Sequence, residues 1–244
     1  MDKKVVLVTG ASRGLGRAIS IHLAQNNCIV IANYNKSEKE AKELEKLAKE
    51  KNYNIIIYKA DVTNRVEIKE MVDYIIKTYH KIDVLINNAG VARARMFNEI
   101  SDEDIDFVIQ GNYCSVLRVS QEVYPYMKMA NIGCIINISS IYGITGAAGA
   151  VLYASSKAAV DALTKSLAKE IGNYNIRVNA IAPGVMNTDL NKDLNDEDWD
   201  IVKKESPLYR ITEPIDIAKC VLWLVLDKST TGQVISINSG TTII

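Results

Sequence analysis

The chain has 244 residues, an apolar content of 48% and 29 basic against 29 acidic side chains. That length and apolar content suit one large α/β domain with a core on both faces of a sheet. The net charge of zero gives no broad attraction to nucleic acid or to an anionic membrane, and no basic stripe or DNA-recognition helix is evident. These bulk properties argue against a nucleic-acid-binding or membrane-bound protein.

Cysteine and histidine usage argues against a disulfide framework and a metal centre. The 4 cysteines are scattered without a Cys-x-x-Cys pair, which indicates buried reduced thiols, and His22 and His80 lack ligand-like neighbours. The chain enters an apolar strand directly after Met-Asp-Lys-Lys, too early for a signal peptide, and no apolar run is long enough to span a bilayer. We therefore expect a cytoplasmic protein without a bound metal.

Short β-branched runs alternate with longer helical patterns along the whole chain. This alternation is typical of βαβ units, and nearly continuous apolar runs indicate strands covered by helices on both faces. We predict an α/β fold with a doubly wound, Rossmann-type parallel sheet of about seven strands, formed by residues 1–244 as one domain. The predicted strands lie near residues 4–9, 28–33, 54–59, 83–87, 133–139, 176–181 and 233–237.

A glycine-rich turn, Thr9-Gly10-Ala-Ser-Arg-Gly14-Leu-Gly16, joins the first strand to the first long helix. Its glycines allow a tight turn and a close approach of the backbone to a pyrophosphate at the helix N-terminus. Glycines also serve ordinary turns, but the position of this cluster within a βαβ series indicates nucleotide binding.

The end of the second predicted strand bears on the choice of cofactor. NAD sites usually place an acidic residue there to hold the ribose 2′-hydroxyl, whereas this chain has Asn33. An uncharged side chain removes repulsion against a 2′-phosphate, and Arg13, with Lys36 in support, offers a cation to pair with it. Arg13 could also be a simply solvated side chain. On these features together we predict NADP(H).

Tyr153 and Lys157 lie one helical turn apart, and Ser140 precedes them at the end of an apolar run. Residues at this spacing share a helix face, so the ammonium would favour phenolate over phenol. At ~4 Å and an effective dielectric of ~20 the attraction is about 4 kcal/mol, which would bring the pKa of a tyrosine from ~10 to roughly 7. Taken alone, the pair could be an accident of helical composition. If genuine, it indicates acid–base catalysis.

The glycine turn, Asn87-Asn-Ala-Gly90 and the Ser140/Tyr153/Lys157 set together resemble the short-chain dehydrogenase/reductase family. The likeness runs the full length of the chain, with separate motifs in the right order. Within the family the chain looks most like the 3-oxoacyl-[acyl-carrier-protein] reductases. The segments that carry this closer likeness are Ile138-Ser-Ser140, Pro183-Gly184 with Thr188, Glu213-Pro-Ile-Asp-Ile-Ala218 and Thr231-Gly-Gln233.

The resemblance implies a role for each of four catalytic residues. Ser140 would bind the substrate carbonyl oxygen and Tyr153 would donate the proton. Lys157 would lower the pKa of Tyr153 and hold the nicotinamide ribose, while Asn112 would anchor a water relay behind the lysine. Structural alternatives remain open, because Asn112 could be a helix cap and Ser140 a strand-end hydroxyl.

The resemblance also extends the cofactor site beyond the glycine turn. Asp61 with Val62 would cradle the adenine, unless Asp61 is a helix N-cap, and Asn87 with Gly90 would line the cleft. The predicted cofactor-binding residues are Gly10, Ser12, Arg13, Gly14, Leu15, Gly16, Asn33, Asp61, Val62, Asn87, Ala89, Gly90, Tyr153, Lys157, Pro183, Gly184, Val185 and Thr188.

Two features depart from the carrier-protein reductases. Their basic residues before the fifth strand and after the catalytic helix correspond here to Asn131 and Tyr174, and the candidate substrate flap at 187–206 is acidic. Like charge at a docking rim would slow association with an acidic carrier. Substitute cations could come from Lys128, Arg93 and Arg95.

We therefore predict an NADPH-dependent carbonyl reductase of 3-oxoacyl thioesters, on acyl carrier protein or a CoA-like group, as in fatty acid biosynthesis. The acidic flap and the uncharged docking positions favour the alternative of a free ketone or secondary alcohol. Ala150 and Leu152, where those reductases often have Gln and Asn, suggest an apolar substrate unless they are core residues. A remote alternative is a non-catalytic NADP sensor, although the chain keeps all the proton-transfer residues. The resemblance also implies a homotetramer.

Overall fold

Seven parallel strands form a single sheet in the computed structural model, which describes residues 3–188, 191 and 194–243. The strand order is β3-β2-β1-β4-β5-β6-β7, and every pair of neighbours is parallel. The predicted doubly wound fold is confirmed. The strands are β1 (Val5–Val8), β2 (Ile29–Tyr34), β3 (Ile55–Lys59), β4 (Val84–Asn87), β5 (Gly133–Ile138), β6 (Ile176–Pro183) and β7 (Val234–Ile237).

Helices cover both faces of this sheet. They are α1 (Gly14–Gln25), α2 (Glu38–Lys51), α3 (Arg65–Tyr79), α4 (Asp102–Ile109), α5 (Ser115–Ala130), α6 (Ile141–Thr145), α7 (Val151–Ile171), α8 (Asp196–Glu205) and α9 (Pro214–Leu226). A single turn of π-helix, Gln110–Cys114, joins α4 to α5.

The core has two halves because side chains of a strand alternate between the faces of a sheet. Val6 and Val8 of β1 pack with α1 and α9 on one face, whereas Val5 and Leu7 pack with α3, α5 and α7 on the other. All four side chains are buried, which explains why the strand is apolar throughout.

The winding of the chain reverses direction at β1, which pairs with β2 on one side and β4 on the other. In doubly wound sheets, ligands bind in the crevice beyond the carboxyl ends of the strands at this switch point. The segments that follow β1, β4 and β5 at this edge begin with Thr9, Asn88 and Ser139. The fold therefore brings the sequence motifs to one crevice.

The stretch 187–206 is more regular than predicted, because α8 occupies its second half. Asn195 caps this helix by accepting hydrogen bonds from the backbone N–H groups of Glu197 and Asp198, at 2.8 and 3.0 Å. Acidic side chains in a first helical turn also interact favourably with the helix dipole. The earlier part of the predicted flap, at 189, 190, 192 and 193, lies outside the described residues.

None of the helices in the described ranges is long and apolar enough to cross a membrane.

Candidate active site

The glycine turn is shaped for a ligand that approaches the backbone closely. Gly10 has a φ of +63°, and a Cβ atom on it would lie 2.9 Å from Ala89 Cα. A Cβ atom on Gly16 would lie only 2.3 Å from the carbonyl oxygen of Gly10. The first turn of α1 contains no acidic residue, and Arg13 stands at its N-cap without a side-chain capping bond. This helix end fits the pyrophosphate of a dinucleotide.

Two side chains that the sequence analysis missed brace the glycine turn. Asn88 donates from Nδ2 to the carbonyl oxygens of Thr9 and Gly10, at 2.9 and 3.0 Å. The Thr9 hydroxyl oxygen accepts from the backbone N–H groups of Asn88 and Ala89, both at 3.0 Å. The sequence feature that could have indicated this bracing role is Asn88 itself, a polar residue directly after β4 and next to the switch point.

Asn33 lies at the end of β2 but turns its side chain inward. The amide Nδ2 donates to the carbonyl oxygen of Ala60 at 2.9 Å and to that of Tyr58 at 3.4 Å, while Oδ1 accepts from Gly10 N–H at 3.3 Å. Its own carbonyl oxygen accepts from Ala11 N–H. Asn33 thus supports the glycine turn with its side chain, while its place in the cofactor site, as an uncharged residue near the 2′-phosphate, stays a prediction.

Asp61 follows β3 and faces residues at the end of β2. Its Oδ1 accepts from the backbone N–H and the hydroxyl of Thr63, at 2.8 and 2.7 Å, whereas the N-cap of α3 is Asn64. The alternative of Asp61 as the N-cap is therefore wrong. Burial alone would raise the pKa of Asp61, but the bonds from Thr63 and from Asn35, with the charge of Lys36, hold that pKa below its usual range.

Asn87 is a buried residue of the sheet, and its side chain does not line the cleft as predicted. It is 2% exposed, and its Nδ2 donates to Ser120 Oγ at 3.1 Å and to Asn137 Oδ1 at 2.9 Å. Gly90, three residues on, lies beside two of the predicted catalytic residues, and its contact with the cofactor stays a prediction. A Cβ atom there would lie 3.2 Å from Asn112 Oδ1 and 3.5 Å from Lys157 Nζ, so only glycine leaves this space open.

The segment after β6 crosses towards the glycine turn. A Cβ atom on Gly14 would lie 3.7 Å from Thr188 Cβ, so Thr188 faces the start of α1. A Cβ atom on Gly184 would lie 2.9 Å from the Cα and Cβ atoms of Asn238, after β7, which fixes the path of the segment. The structure thus brings the predicted Pro183–Thr188 segment to the rim of the same cleft.

Ser140 follows β5 and its side chain caps the next helix, while its bond to the substrate carbonyl oxygen stays a prediction. Its Oγ accepts from the backbone N–H of Tyr142 at 3.2 Å and so caps α6. The residue is 7% exposed, and its side chain also forms a hydrogen bond with Tyr153. The capping bond uses an oxygen lone pair, so the hydroxyl proton stays available to a carbonyl oxygen.

Lys157 is 4% exposed, and a hydrogen bond to a backbone carbonyl group fixes the direction of its side chain. Its Nζ donates to the Ile138 oxygen at 2.8 Å and lies 5.7 Å from the centroid of the Tyr153 ring. Burial lowers the pKa of Lys157 to about 8, against the charge of Asp161, which raises it. The ammonium therefore stays mostly charged at neutral pH but loses its proton at a lower pH than an exposed lysine does.

The predicted lowering of the Tyr153 pKa is wrong. Burial raises this pKa, the hydrogen bond with Ser140 opposes the rise, and Tyr142 adds to it. The sequence estimate placed the ammonium directly beside the phenol and left out desolvation, which disfavours the phenolate. Since its pKa is raised, the phenol stays protonated at neutral pH, as a proton donor must.

Asn112 occupies the π-helical turn and is completely buried. Its Nδ2 donates to the Val91 oxygen and to Ser156 Oγ, both at 2.9 Å, and its Oδ1 accepts from Val91 N–H at 2.7 Å. Ser156 in turn donates to the Tyr153 carbonyl oxygen at 2.7 Å. Asn112 is therefore no helix cap. It ties the segment after β4 to α7, while its water relay stays a prediction.

The basic residues named as possible substitutes for the carrier-docking cations already interact with other side chains of this chain. Arg93 and Arg95 lie 2.5 and 3.6 Å from the carboxylate of buried Asp104. Lys128 lies 4.6 Å from the ring centroid of Tyr174, and hydrogen bonding to that tyrosine raises the pKa of the lysine. Lys128 is thus positioned beside one of the two uncharged docking positions.

The chain is similar to known proteins over its whole length. A family model described as short chain dehydrogenase matches residues 4–199. The 3-oxoacyl-[acyl-carrier-protein] reductase of Thermotoga maritima is 40% identical over 245 residues, covering 100% of this chain and 99% of the relative. The reductase of the same name from Staphylococcus epidermidis is 37% identical over 239 residues, covering 97% and 98%.

A solved structure supports the same assignment. The crystal structure of a putative gluconate dehydrogenase from Agrobacterium tumefaciens matches with a TM-score of 0.94 and 28% identity, covering 99% of this chain and 97% of the other. Its sheet and crevice are therefore shared with this chain. The chain belongs to the short-chain dehydrogenase family and is an oxidoreductase that uses a nicotinamide cofactor.

Proposed function

We propose that the chain is an NADPH-dependent reductase that converts a 3-oxoacyl thioester to the 3-hydroxy product. The observation that carries this proposal is the phenol of Tyr153, whose raised pKa keeps it protonated beside the hydroxyl of Ser140. The full-length likeness to two 3-oxoacyl-[acyl-carrier-protein] reductases supports the substrate class. The nicotinamide cofactor, when bound, supplies the hydride.

The chain's own contribution is to hold and protonate the carbonyl group. Ser140 donates its hydroxyl hydrogen to the substrate oxygen, and Tyr153 transfers its phenolic proton to the same oxygen as negative charge develops there. The Lys157 ammonium stabilises the resulting phenolate, which burial alone would disfavour. Asn112 and Ser156 fix α7 against the segment after β4, so that the tyrosine stays in place.

Replacement of Tyr153 by Phe tests the assigned proton donor. We expect kcat to fall at least about a hundredfold, because general acid catalysis is lost, while NADPH binding stays nearly unchanged. Stopped-flow turnover and fluorescence titration of the cofactor measure the two effects separately. Substantial residual activity in a folded Tyr153→Phe variant would refute the role.

The preference for NADP(H) is supported by the charge of the loops beyond β2 and β3. Lys36 lies close enough to Asp61 to lower its pKa, so the one acidic group described there is partly offset. Arg13 stands at the start of α1, beside the predicted pyrophosphate site. We expect Arg13→Ala to weaken NADPH binding by roughly tenfold or more and NADH binding much less. A tighter Kd for NADH than for NADPH in the parent chain would contradict this preference.

Oxidation of NADPH with two acetoacetyl substrates decides whether a carrier is recognised. One substrate carries the group on acyl carrier protein and the other on a short pantetheine-like thiol. A large preference for the carrier form would show that docking needs only cations such as Lys128. Equal rates would indicate a general 3-oxoacyl thioester reductase.

A free ketone or secondary alcohol is the second candidate substrate. The pairing of Arg93 and Arg95 with Asp104 favours it, because it leaves less positive charge for an acidic carrier. The predicted flap, which includes α8, is also acidic. Turnover of free ketones without turnover of either thioester would establish this alternative, and absence of all turnover would favour the NADP sensor.

A homotetramer is the proposed assembly. Helix α9 exposes Ile215, Trp223 and Leu226 on one side, at 42%, 49% and 63%, and β7 next to it is an edge strand of the sheet. An apolar helix face beside an open sheet edge is typical of a protein interface. Light scattering should give about four chain masses, and Trp223→Glu should lower that mass. A monomeric parent chain would contradict the assembly.

A further inference from the structure

Asp161 is a buried carboxylate that the proposed mechanism does not use. It lies on α7 four residues after Lys157 and is 6% exposed. Its Oδ1 is fully buried and has no hydrogen-bond partner among the described residues. Buried polar atoms are nearly always paired, so an unpaired carboxylate oxygen calls for an explanation.

The position of Asp161 relates it to the catalytic lysine. Residues at this spacing lie on the same face of a helix, and here that face is turned into the protein. Ser139, directly after β5, is within hydrogen-bonding reach of both residues. Its Oγ lies 3.4 Å from the backbone carbonyl oxygen of Lys157, and its hydroxyl hydrogen-bonds the Asp161 side chain. Lys157 and Asp161 thus follow each other on the inward face of α7, one helical turn apart.

The charges around this pair are few. Burial lowers the pKa of Lys157, and the charge that opposes this effect is that of Asp161. Burial raises the pKa of Asp161, opposed by Ser139 from the end of β5 and by Lys165 and Lys157 from α7. From α6, the titratable group facing the site is the phenol of Tyr142, which acts on Tyr153. Among the described residues, Asp161 is therefore the one carboxylate whose charge supports this buried ammonium.

We propose that Asp161 is a positioning residue whose carboxylate is the counter-charge that keeps Lys157 protonated in the buried site. Attraction between opposite charges is strong where water is excluded. The Asp161 carboxylate keeps one oxygen without a hydrogen bond among the described residues, while Ser139 binds its side chain. The kinetic consequence of this proposal rests on the proposed function. The charge state of Lys157 does not, because it can be measured without substrate.

The direct test is an NMR titration of the Lys157 side chain, with ¹³C at Cε and the signal assigned by its loss in Lys157→Arg. In Asp161→Asn we expect the titration midpoint to fall by roughly one pH unit or more. Asp161→Glu should restore most of the midpoint, since the charge returns. Lys169→Gln is the matched control, because it removes an exposed charge from the same helix two turns beyond Asp161 and should change the midpoint little.

An unchanged midpoint in a folded Asp161→Asn variant would overturn the proposal. If that variant does not fold, Asp161→Ser removes the same charge with a smaller side chain. We expect it to lower the Lys157 titration midpoint by the same amount. Thermal unfolding identifies which of these variants is folded.

The pH profile of kcat tests the consequence for catalysis. In Asp161→Asn the alkaline limb of thioester reduction should move to lower pH by the same amount as the NMR midpoint, with little change in KM. A limb that stays in place while the midpoint moves would refute the link between this charge and turnover. Failure of the parent chain to reduce any thioester would refute the proposed function alone, since the NMR result still decides the role of Asp161.

Discussion

At the scale of single residues, Asn33 illustrates why an amide cannot be exchanged for a carboxylate at this strand end. In Asn33→Asp, a carboxylate oxygen replaces the Nδ2 donor and faces the carbonyl oxygens of Ala60 and Tyr58. Unpaired buried acceptors cost about 1–3 kcal/mol, which corresponds to a fall in Tm of roughly 2–12 °C for a chain of this size. Calorimetry measures the change, and the exposed Asn173→Asp is the control. Equal Tm values for both variants would contradict this structural role.

At the scale of elements, the turn between β1 and α1 cannot accept a single added methyl group at Gly16. In Gly16→Ala the new Cβ would lie 2.3 Å from the Gly10 oxygen and 2.5 Å from Asn88 Nδ2, so the turn must shift. We expect a loss of stability of about 1–3 kcal/mol and a weaker Kd for NADPH, measured by denaturation and fluorescence titration. Gly172→Ala has open space and an ordinary φ, and should change neither. Unchanged NADPH affinity in Gly16→Ala would count against this turn as the pyrophosphate site.

The same scale shows what a sequence can and cannot predict. Strand positions followed from apolar β-branched runs, because burial on both faces leaves a local signature. The directions of Asn33 and Asn87 depend on partners such as Ala60 and Asn137, which are distant in sequence. The sign of the pKa change at Tyr153 depends on burial, which no spacing of residues reveals. The sequence could therefore predict where the site motifs lie in the chain, but not which hydrogen bonds and charges they have.

At the scale of the whole molecule, the buried charge of Lys157 opposes folding. Its pKa falls from 10.5 to about 8, so the charged form costs up to about 3 kcal/mol at neutral pH. Below pH ~8 the lysine is charged in folded and unfolded chains alike; from there to pH ~10.5 only the unfolded chain keeps the proton, so stability rises with pH. Lys157→Met should therefore be inactive but more stable than the parent chain at neutral pH. The gain in stability is reduced by the cost of leaving the Asp161 carboxylate without this positive charge.

Urea unfolding at pH about 7 and about 9.5 measures this effect, and the stability gap between Lys157→Met and the parent should narrow at the higher pH. Lys165→Met removes an exposed lysine from the same helix and should show no such narrowing. A gap that is the same at both values would contradict the buried charge as its source.

The π-helical turn at Gln110–Cys114 sets how α4 and α5 are rotated relative to each other about the helix axis. It lies inside one long rod that runs from α4 through α5, and such a turn amounts to one residue added to an ordinary helix. Each residue of an α-helix turns the chain by about 100°, so a straight helix without the extra residue could not keep both halves of the rod in their present orientation. Either Asn112 would leave Val91 and Ser156, or α5 would lose its buried face against the sheet. Deletion of one residue from this turn would therefore either release the clamp on α7 or strip α5 of its buried face.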